Sequence, residues 1–368
     1  MTLPTFPQLT EDQLRQRLEP PTGKARLIID TDAHNEIDDQ FSIAWALLSP
    51  EKFDIEGVLA VPYSFAHHRE PMLKAYELLK AADSGEALDH QNHGESVGYT
   101  GWAQRLIDVG TDPYAIPFVS PEEGMELSYQ EILTVYGKLG VDATGQVFRG
   151  SPNYLKSLDE PIRSPAVDHL IERALTGGDE PLYVAGIGCA TNLASAILIE
   201  PEIIKHIVIL WTSAYPTTTN LWNGASLNLV QDPLASQLLF DCGVPHVYLP
   251  GFHVGAQLKI SLPEMELWVK GQGAIGDYLH HLYTHNPIYH QRGINDYFGR
   301  SWIVWDLVNF AWLLNPDWVP SHLTPAPILN DALYWETDPS RHLIREAYDI
   351  DRDAIFRDLF TKLAQAAS

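Results

Sequence analysis

The chain has little cysteine and little positive charge. Cys189 and Cys242 are the only cysteines among 368 residues, too few for a disulfide framework or an all-thiolate zinc site, so a reducing compartment is expected. Lys and Arg number 24 against 48 Asp and Glu, giving a formal net charge of −24 with His neutral. A surface of that sign repels phosphate backbones and anionic lipid, which argues against nucleic acid or a membrane as partner. No early run approaches the ~20 apolar residues of a spanning helix. Met1 to Pro21 is polar and proline-containing, without the basic-then-apolar order of a secretory signal, so a cytoplasmic location is expected. Internal repeats, heptads and low-complexity tracts are also lacking. Against these absences, 45% hydrophobic and 10% aromatic content is enough for a large core and excludes disorder.

Short β-rich runs alternate with helical stretches, the signature of an α/β fold with a mainly parallel central sheet flanked by helices, a Rossmann-like arrangement. Arg26–Asp30, Asp54–Val61, Leu182–Ile187, His206–Trp211 and His246–Leu249 read as strands. Asp38–Leu48, a segment starting near Ala190, Asp232–Phe240 and the aromatic-rich Trp302–Leu314 read as helices. Residues 65–117 break this rhythm: between helices at Pro71–Ala82 and Trp102–Asp108 lies a polar stretch that includes Asp89-His90-Gln91-Asn92-His93-Gly94. The chain is expected to be one domain, 1–368, carrying this segment as an inserted lid or interface.

The sharpest signal follows the first strand: Asp30-Thr31-Asp32-Ala33-His34-Asn35-Glu36-Ile37-Asp38-Asp39-Gln40. Open parallel sheets bind ligands beyond the carboxyl ends of their strands, where this cluster falls. Helix capping accounts for two of these acids, not for all five. Oxygen-only donors so crowded call for a hard cation, Ca²⁺ or Mg²⁺ rather than zinc. An EF-hand loop counted from Asp30 fails, because Asn35 and Phe41 stand where Gly and Glu are required. Asp30-Thr31-Asp32 also satisfies the Asp-x-Asp of haloacid-dehalogenase-like phosphatases, although no convincing acidic pair follows Asp296 and Asp306.

A fuller set of segments resembles the inosine-uridine-preferring nucleoside hydrolase family. Asp30-Thr31-Asp32 with Asp38-Asp39 is similar to its Asp-rich opening, Gly186–Ala194 to its Thr-Asn segment, and Leu227–Ala235 to its Asn-x-x-x-Asp-Pro segment; Trp305-Asp306 falls where the family has His-Asp. The longer first loop, with Asn35-Glu36, and Gly124–Tyr129 resemble a divergent bacterial branch. The resemblance implies a Ca²⁺ site made by Asp32, Asp39, Asp306 and the Ile187 carbonyl, with Asp32 as the base that activates water. It also implies that Asp38 and Asn228 hold the ribose, that Trp305 is a further substrate contact, and that the protein forms a homodimer or homotetramer; Asn35 reads either as a substrate contact or as an amide that stabilises the loop. The implied reaction is hydrolysis of a ribonucleoside, or a related N-ribosyl compound, to free base and ribose, as in purine and pyrimidine salvage.

Departures leave alternatives open. A sugar-gripping Glu of the family is Ser226 here, and its leaving-group His is Trp305, whose indole N–H is too weak an acid to protonate a departing base. His67, His68, His90 and His93 are candidates to replace it, and Glu126 to replace the Glu, although the histidines read first as surface residues and Glu126 as a solvated helix residue. His280, His281, His285 and His290 read as pocket rim or surface rather than a zinc site, and Trp302 and Trp312 as core. If the missing groups are not replaced, a non-catalytic Ca²⁺-dependent sugar or nucleoside binder is the alternative, with the phosphatase as the third reading.

Overall fold

A computed structural model describes residues 5–83, 98–294 and 300–368. Its frame is an eight-stranded sheet. Six parallel strands, β1 (Ala25–Thr31), β2 (Phe53–Ala60), β3 (Val147–Arg149), β4 (Leu182–Gly186), β5 (Ile207–Ser213) and β6 (His246–Pro250), lie in the order β3-β2-β1-β4-β5-β6. Leu343–Ala347 adds parallel to β6, and Ser321–Pro325 closes the edge antiparallel. The first six follow the doubly wound order in which direction of winding reverses between β1 and β4, and a crevice opens outside the carboxyl ends of those two strands.

Both faces of the sheet are buried, as a parallel sheet with helical crossovers requires. In β1, Leu27 and Ile29 enter one core and Ile28 the other; in β5, Val208 and Leu210 enter the first, and Ile207, Ile209 and Trp211 the second. This period of two, with apolar residues at both phases, explains why the strands read as unbroken hydrophobic runs. Helix α1 (Glu11–Arg17) contributes Leu14 to the first core, helix α2 (Asp38–Leu47) contributes Phe41, Ala44 and Trp45, and Leu307–Leu314 adds Phe310 and Trp312. The helices Pro165–Thr176, Thr191–Ile199 and Pro233–Asp241 cover the second.

One helix of the sequence reading is corrected. Trp302–Leu314 is not a single helix: Ser301–Ile303 is a strand paired antiparallel with Lys259–Ser261, and the helix begins only at Leu307. The apolar run holds two periods, and the chain turns between them at Val304–Asp306 to place Asp306 at the head of the helix. Trp312 is core as expected, whereas Trp302 is half-buried on the strand and packs edge-on against Tyr289. The described part of 65–117 holds Arg69–Asp83 and Thr100–Asp108, packed through Met72, Leu106 and Ile116. His90 and His93 lie outside the described residues.

Asn192 ties the crevice together. Its amide donates to Asp30 Oδ1 (2.9 Å) and the Ala60 carbonyl (3.1 Å), and its oxygen accepts from Ser151 N–H (2.9 Å). Next to it, Thr191 donates to Asp232 Oδ2 (2.6 Å), while Asp232 Oδ1 caps its own helix through Ala235 N–H (3.0 Å). Within the two later sequence motifs, Thr191, Asn192 and Asp232 are therefore braces between strands and helices. Asn192→Ala strands several buried polar groups at ~1–3 kcal/mol each; chemical denaturation should show a loss of about 3 kcal/mol, and a loss below about 0.5 kcal/mol would contradict the bracing role.

Candidate active site

At the crevice the strand ends deliver carboxylates to one cavity of about 230 Å³. Its lining includes Asp32 after β1, Asp38 and Asp39 on the first turn of α2, Ile187 after β4, and Asp306 at the head of Leu307–Leu314. Asp38, Asp39 and Asp306 bring one carboxylate oxygen each within 4.8 Å of one another, the one such grouping of three ligand residues found among the described residues. Asp32 borders it. All four are nearly inaccessible, at 1 to 5% exposure.

Local structure shows that these acids are not simply helix caps. The N-cap of α2 is Ile37, without a side-chain cap, and Asp306 makes no capping bond to its helix. Other contacts aim them. Thr31 Oγ1 donates to Asp39 Oδ1, and Asn35 Nδ2 donates to Asp32 Oδ2 (2.9 Å). Asp306 is positioned through Asn309, one turn on, whose amide donates to the carbonyls of Leu210 (3.0 Å) and Gly186 (3.3 Å). Gly188 makes room for Asp32: a Cβ there would stand 3.0 Å from the Asp32 nitrogen and 2.5 Å from Val61 Cγ2.

Electrostatics follow from this crowding. Burial raises the Asp32 pKa to about 7, opposed by the Asn35 hydrogen bond. Asp38, Asp39 and Asp306 are pushed well above the usual carboxylate range, first by burial and then by their neighbours' charges. Glu36 is raised by burial, with Arg292 opposing. Asp30, fully buried behind the cavity, is raised to about 8 by burial. The donor set fits a hard divalent cation: it is made of oxygens, it carries unneutralised charge out of water, and beside it Asn35 Oδ1 is buried with no hydrogen-bond partner.

The sequence-predicted residues are brought together, with shifts of emphasis. Asp38, read as a sugar contact, sits inside the carboxylate grouping, and Asn35, read as a substrate contact, braces Asp32. Asn228 Nδ2 donates to the carbonyls of Ile187 and Thr212, both at 3.1 Å. Trp305 lines the cavity with its ring edge-on to Phe252, centroids 5.7 Å apart. Ser226 is locked to Ser213 Oγ (2.8 Å) and Ala214 N–H (2.9 Å). Glu126 is half-exposed, pairs with Arg149 at 2.7 Å and is not in the cavity lining.

The histidines divide. His68 bonds Tyr99 Oη (2.8 Å), His280 meets Glu266 (2.7 Å), and His281 and His285 stack on each other. His290 lines a smaller neighbouring cavity with His34, Tyr63 and Asn35. The sequence reading missed Phe252, Ser213 and Arg292 as lining residues. Phe252 follows the end of β6 and Ser213 is the last residue of β5, where the strand rule could have found them; Arg292 carries no sequence signal.

Asp30, the nucleophile that a phosphatase would require, is closed off from the cavity and bonded to Asn192. What remains is a cavity lined by buried acids whose oxygen-only donor set fits a hard cation. The family model of inosine-uridine preferring nucleoside hydrolases matches residues 27–356. The chain belongs to that family. Among relatives of this nucleoside hydrolase family, the non-specific ribonucleoside hydrolase RihC of Salmonella enteritidis is 24% identical over 300 residues, 80% of each chain. A protein named probable uridine nucleosidase 2 of Arabidopsis thaliana is 26% identical over 147 residues, 39% of this chain and less than half, 42%, of the plant protein. A purine-preferring ribonucleoside hydrolase from Gardnerella vaginalis superposes with a TM-score of 0.61 at 17% identity, covering 93% of this chain and 99% of that one. The inosine-uridine preferring nucleoside hydrolase of Bacillus anthracis gives 0.55 at 17% identity over 93% and 99%. At such identities these superpositions show the fold.

The raised carboxylates set a pH dependence. The folded, metal-free protein holds protons on groups whose unfolded pKa is about 3.9, so over the window up to about 7 to 8 the folded state binds more protons than the unfolded chain. Stability is then highest at the acid end and is lost as pH rises through the folded pKa values. In chelator the melting temperature should fall between about pH 5 and pH 8, with a shallower fall in Asp38→Asn. A flat or rising profile, or an unchanged slope in the variant, would contradict this.

Proposed function

We propose that this protein hydrolyses the N-glycosidic bond of ribonucleosides, or of a related N-ribosyl compound, releasing free base and ribose with Ca²⁺ as cofactor. The observation that carries the reading is the buried carboxylate grouping at the β1/β4 switch point, with Asp32 held by Asn35 at its border. Membership of the nucleoside hydrolase family supports the reaction class, and the names of the relatives are consistent with it.

Asp32, Asp39 and Asp306, with the Ile187 carbonyl, would hold the ion, and Asp38 lies close enough to share in the task. When bound, a divalent cation supplies Lewis acidity and a template for vicinal hydroxyls and a water. Asp32, held by Asn35 at the border of that site, is the base that would take a proton from the attacking water. Asp38 accepts a hydrogen bond from a ribose hydroxyl, and Asn228 offers its amide oxygen while its N–H groups hold the Ile187 and Thr212 carbonyls. Trp305 and Phe252 give the leaving base an aromatic face to stack on.

Trp305 also favours a second reading. An indole cannot protonate the departing base, so a Ca²⁺-dependent sugar or nucleoside binder without turnover is the alternative. We further infer that residues 65–117 serve as a lid or interface within one domain, that the chain forms a homodimer or homotetramer, and that it serves cytoplasmic salvage. Among the described residues no helix is long and apolar enough to cross a membrane.

A panel of purine and pyrimidine nucleosides, assayed for base and ribose with Ca²⁺ and with chelator, separates the readings. Cation-dependent release is expected, with kcat falling ~10²- to 10⁴-fold in Asp32→Asn. Binding without products would support the binder. Full turnover in Asp32→Asn with its metal content retained would remove Asp32 as the base.

A further inference from the structure

Besides Asp32 and the carboxylate grouping, the cavity lining includes two charged side chains, Glu36 and Arg292. They face each other with nitrogen and oxygen 3.6 Å apart, too far for a direct hydrogen bond. Glu36 comes from the long first loop and its side chain is 17% exposed; Arg292 and the Trp302 indole act on its carboxylate, and among the described residues neither makes a direct hydrogen bond to it, so its oxygens can still accept from a ligand. Other polar groups on that wall are committed, since Ser226 is locked to Ser213 and Ala214 and the Asn228 N–H groups hold two carbonyls.

Arg292 is itself held from the inserted segment. Trp102 Nε1 donates to the Gln291 carbonyl (2.7 Å), and Arg105 Nε donates to the Arg292 carbonyl (3.2 Å). Both donors lie on the helix Thr100–Asp108. At Gly293 a Cβ would meet the Arg105 and Leu106 backbone at 3.0 Å, so the two segments are in close contact there. The described part of residues 65–117 thus reaches the cavity through the backbone that carries Arg292.

We propose that Glu36 is the charged acceptor that fixes the exocyclic 5′-hydroxyl of a ribosyl substrate, and that Arg292, braced by the helix Thr100–Asp108, positions it. The inference rests on the ribosyl reading above: a cation takes the vicinal pair of hydroxyls, which leaves the hydroxymethyl arm in need of a partner. A hydrogen bond from a neutral hydroxyl to a carboxylate is strong in a half-buried site. Glu36 is a specificity-determining residue in this account and Arg292 a positioning residue.

The test compares a ribonucleoside with its 5′-deoxy analogue in the full chain with Ca²⁺. Wild type should prefer the parent by about 10- to 100-fold in kcat/KM; Glu36→Ala should lose that preference to within about threefold, and Glu36→Gln should fall between. Arg292→Ala should raise KM for the parent by about tenfold with little change in kcat, and Arg292→Lys should restore part of it. Wild-type preference retained in Glu36→Ala, with an unchanged melting temperature, would overturn the proposal. If wild type turns over no nucleoside, the hydrolase reading fails separately, and calorimetric affinities for methyl β-D-ribofuranoside and its 5-deoxy analogue carry the test. A wild-type preference for the parent glycoside that collapses in Glu36→Ala supports the role of Glu36, and an unchanged ratio or no binding of the parent rejects it.

Discussion

Four nearly inaccessible carboxylates share a crevice, and among the described residues no Lys or Arg stands within their grouping. Asp32, Asp38, Asp39 and Asp306 are each at most 5% exposed, and each raises the charging cost of the others. Neutralisation can come from protons or from a cation, and the two compete for the same oxygens. Much of the surrounding architecture serves to keep the acids there: Thr31 and Asn35 aim two of them, Asn309 anchors the helix that carries a third, and Gly188 leaves room for Asp32.

The sheet topology explains why the acids converge although they are distant in sequence. The order β3-β2-β1-β4-β5-β6 opens its crevice between β1 and β4. The first loop supplies three acids from one side, Ile187 leaves β4 opposite, and the turn before Leu307 brings Asp306 over the top. Asn192 and Asp232 stand one layer behind, where they lock strands to helices. A family motif can thus hold both reacting groups and their braces, and the sequence alone does not say which is which.

The alternation of strands and helices was legible because buried parallel strands and amphipathic helices leave distinct periods. The acidic loop was legible because capping explains only part of its charge. The turn inside Trp302–Leu314 was hidden, since aromatic and aliphatic residues satisfy both a strand and a helix. Arg292 was hidden for another reason: it sits at the end of the short helix Pro287–Arg292 and reaches the cavity through tertiary contacts with Trp102 and Arg105. The role of Asn35 as a brace for Asp32 depends on a loop conformation, including His34 at φ 83°, that local sequence does not dictate.

The account turns on a cation replacing protons at these carboxylates. Calorimetric titration of Ca²⁺ into metal-free protein, repeated near pH 6.5 in buffers of different ionisation enthalpy, reads that exchange directly. It should show one ion per chain, with a heat that varies with the buffer because protons leave Asp32, Asp38, Asp39 and Asp306, and Asp306→Asn should weaken both the affinity and the proton release. Absence of binding at millimolar Ca²⁺, or binding with no proton release and no effect of Asp306→Asn, would contradict the central claim.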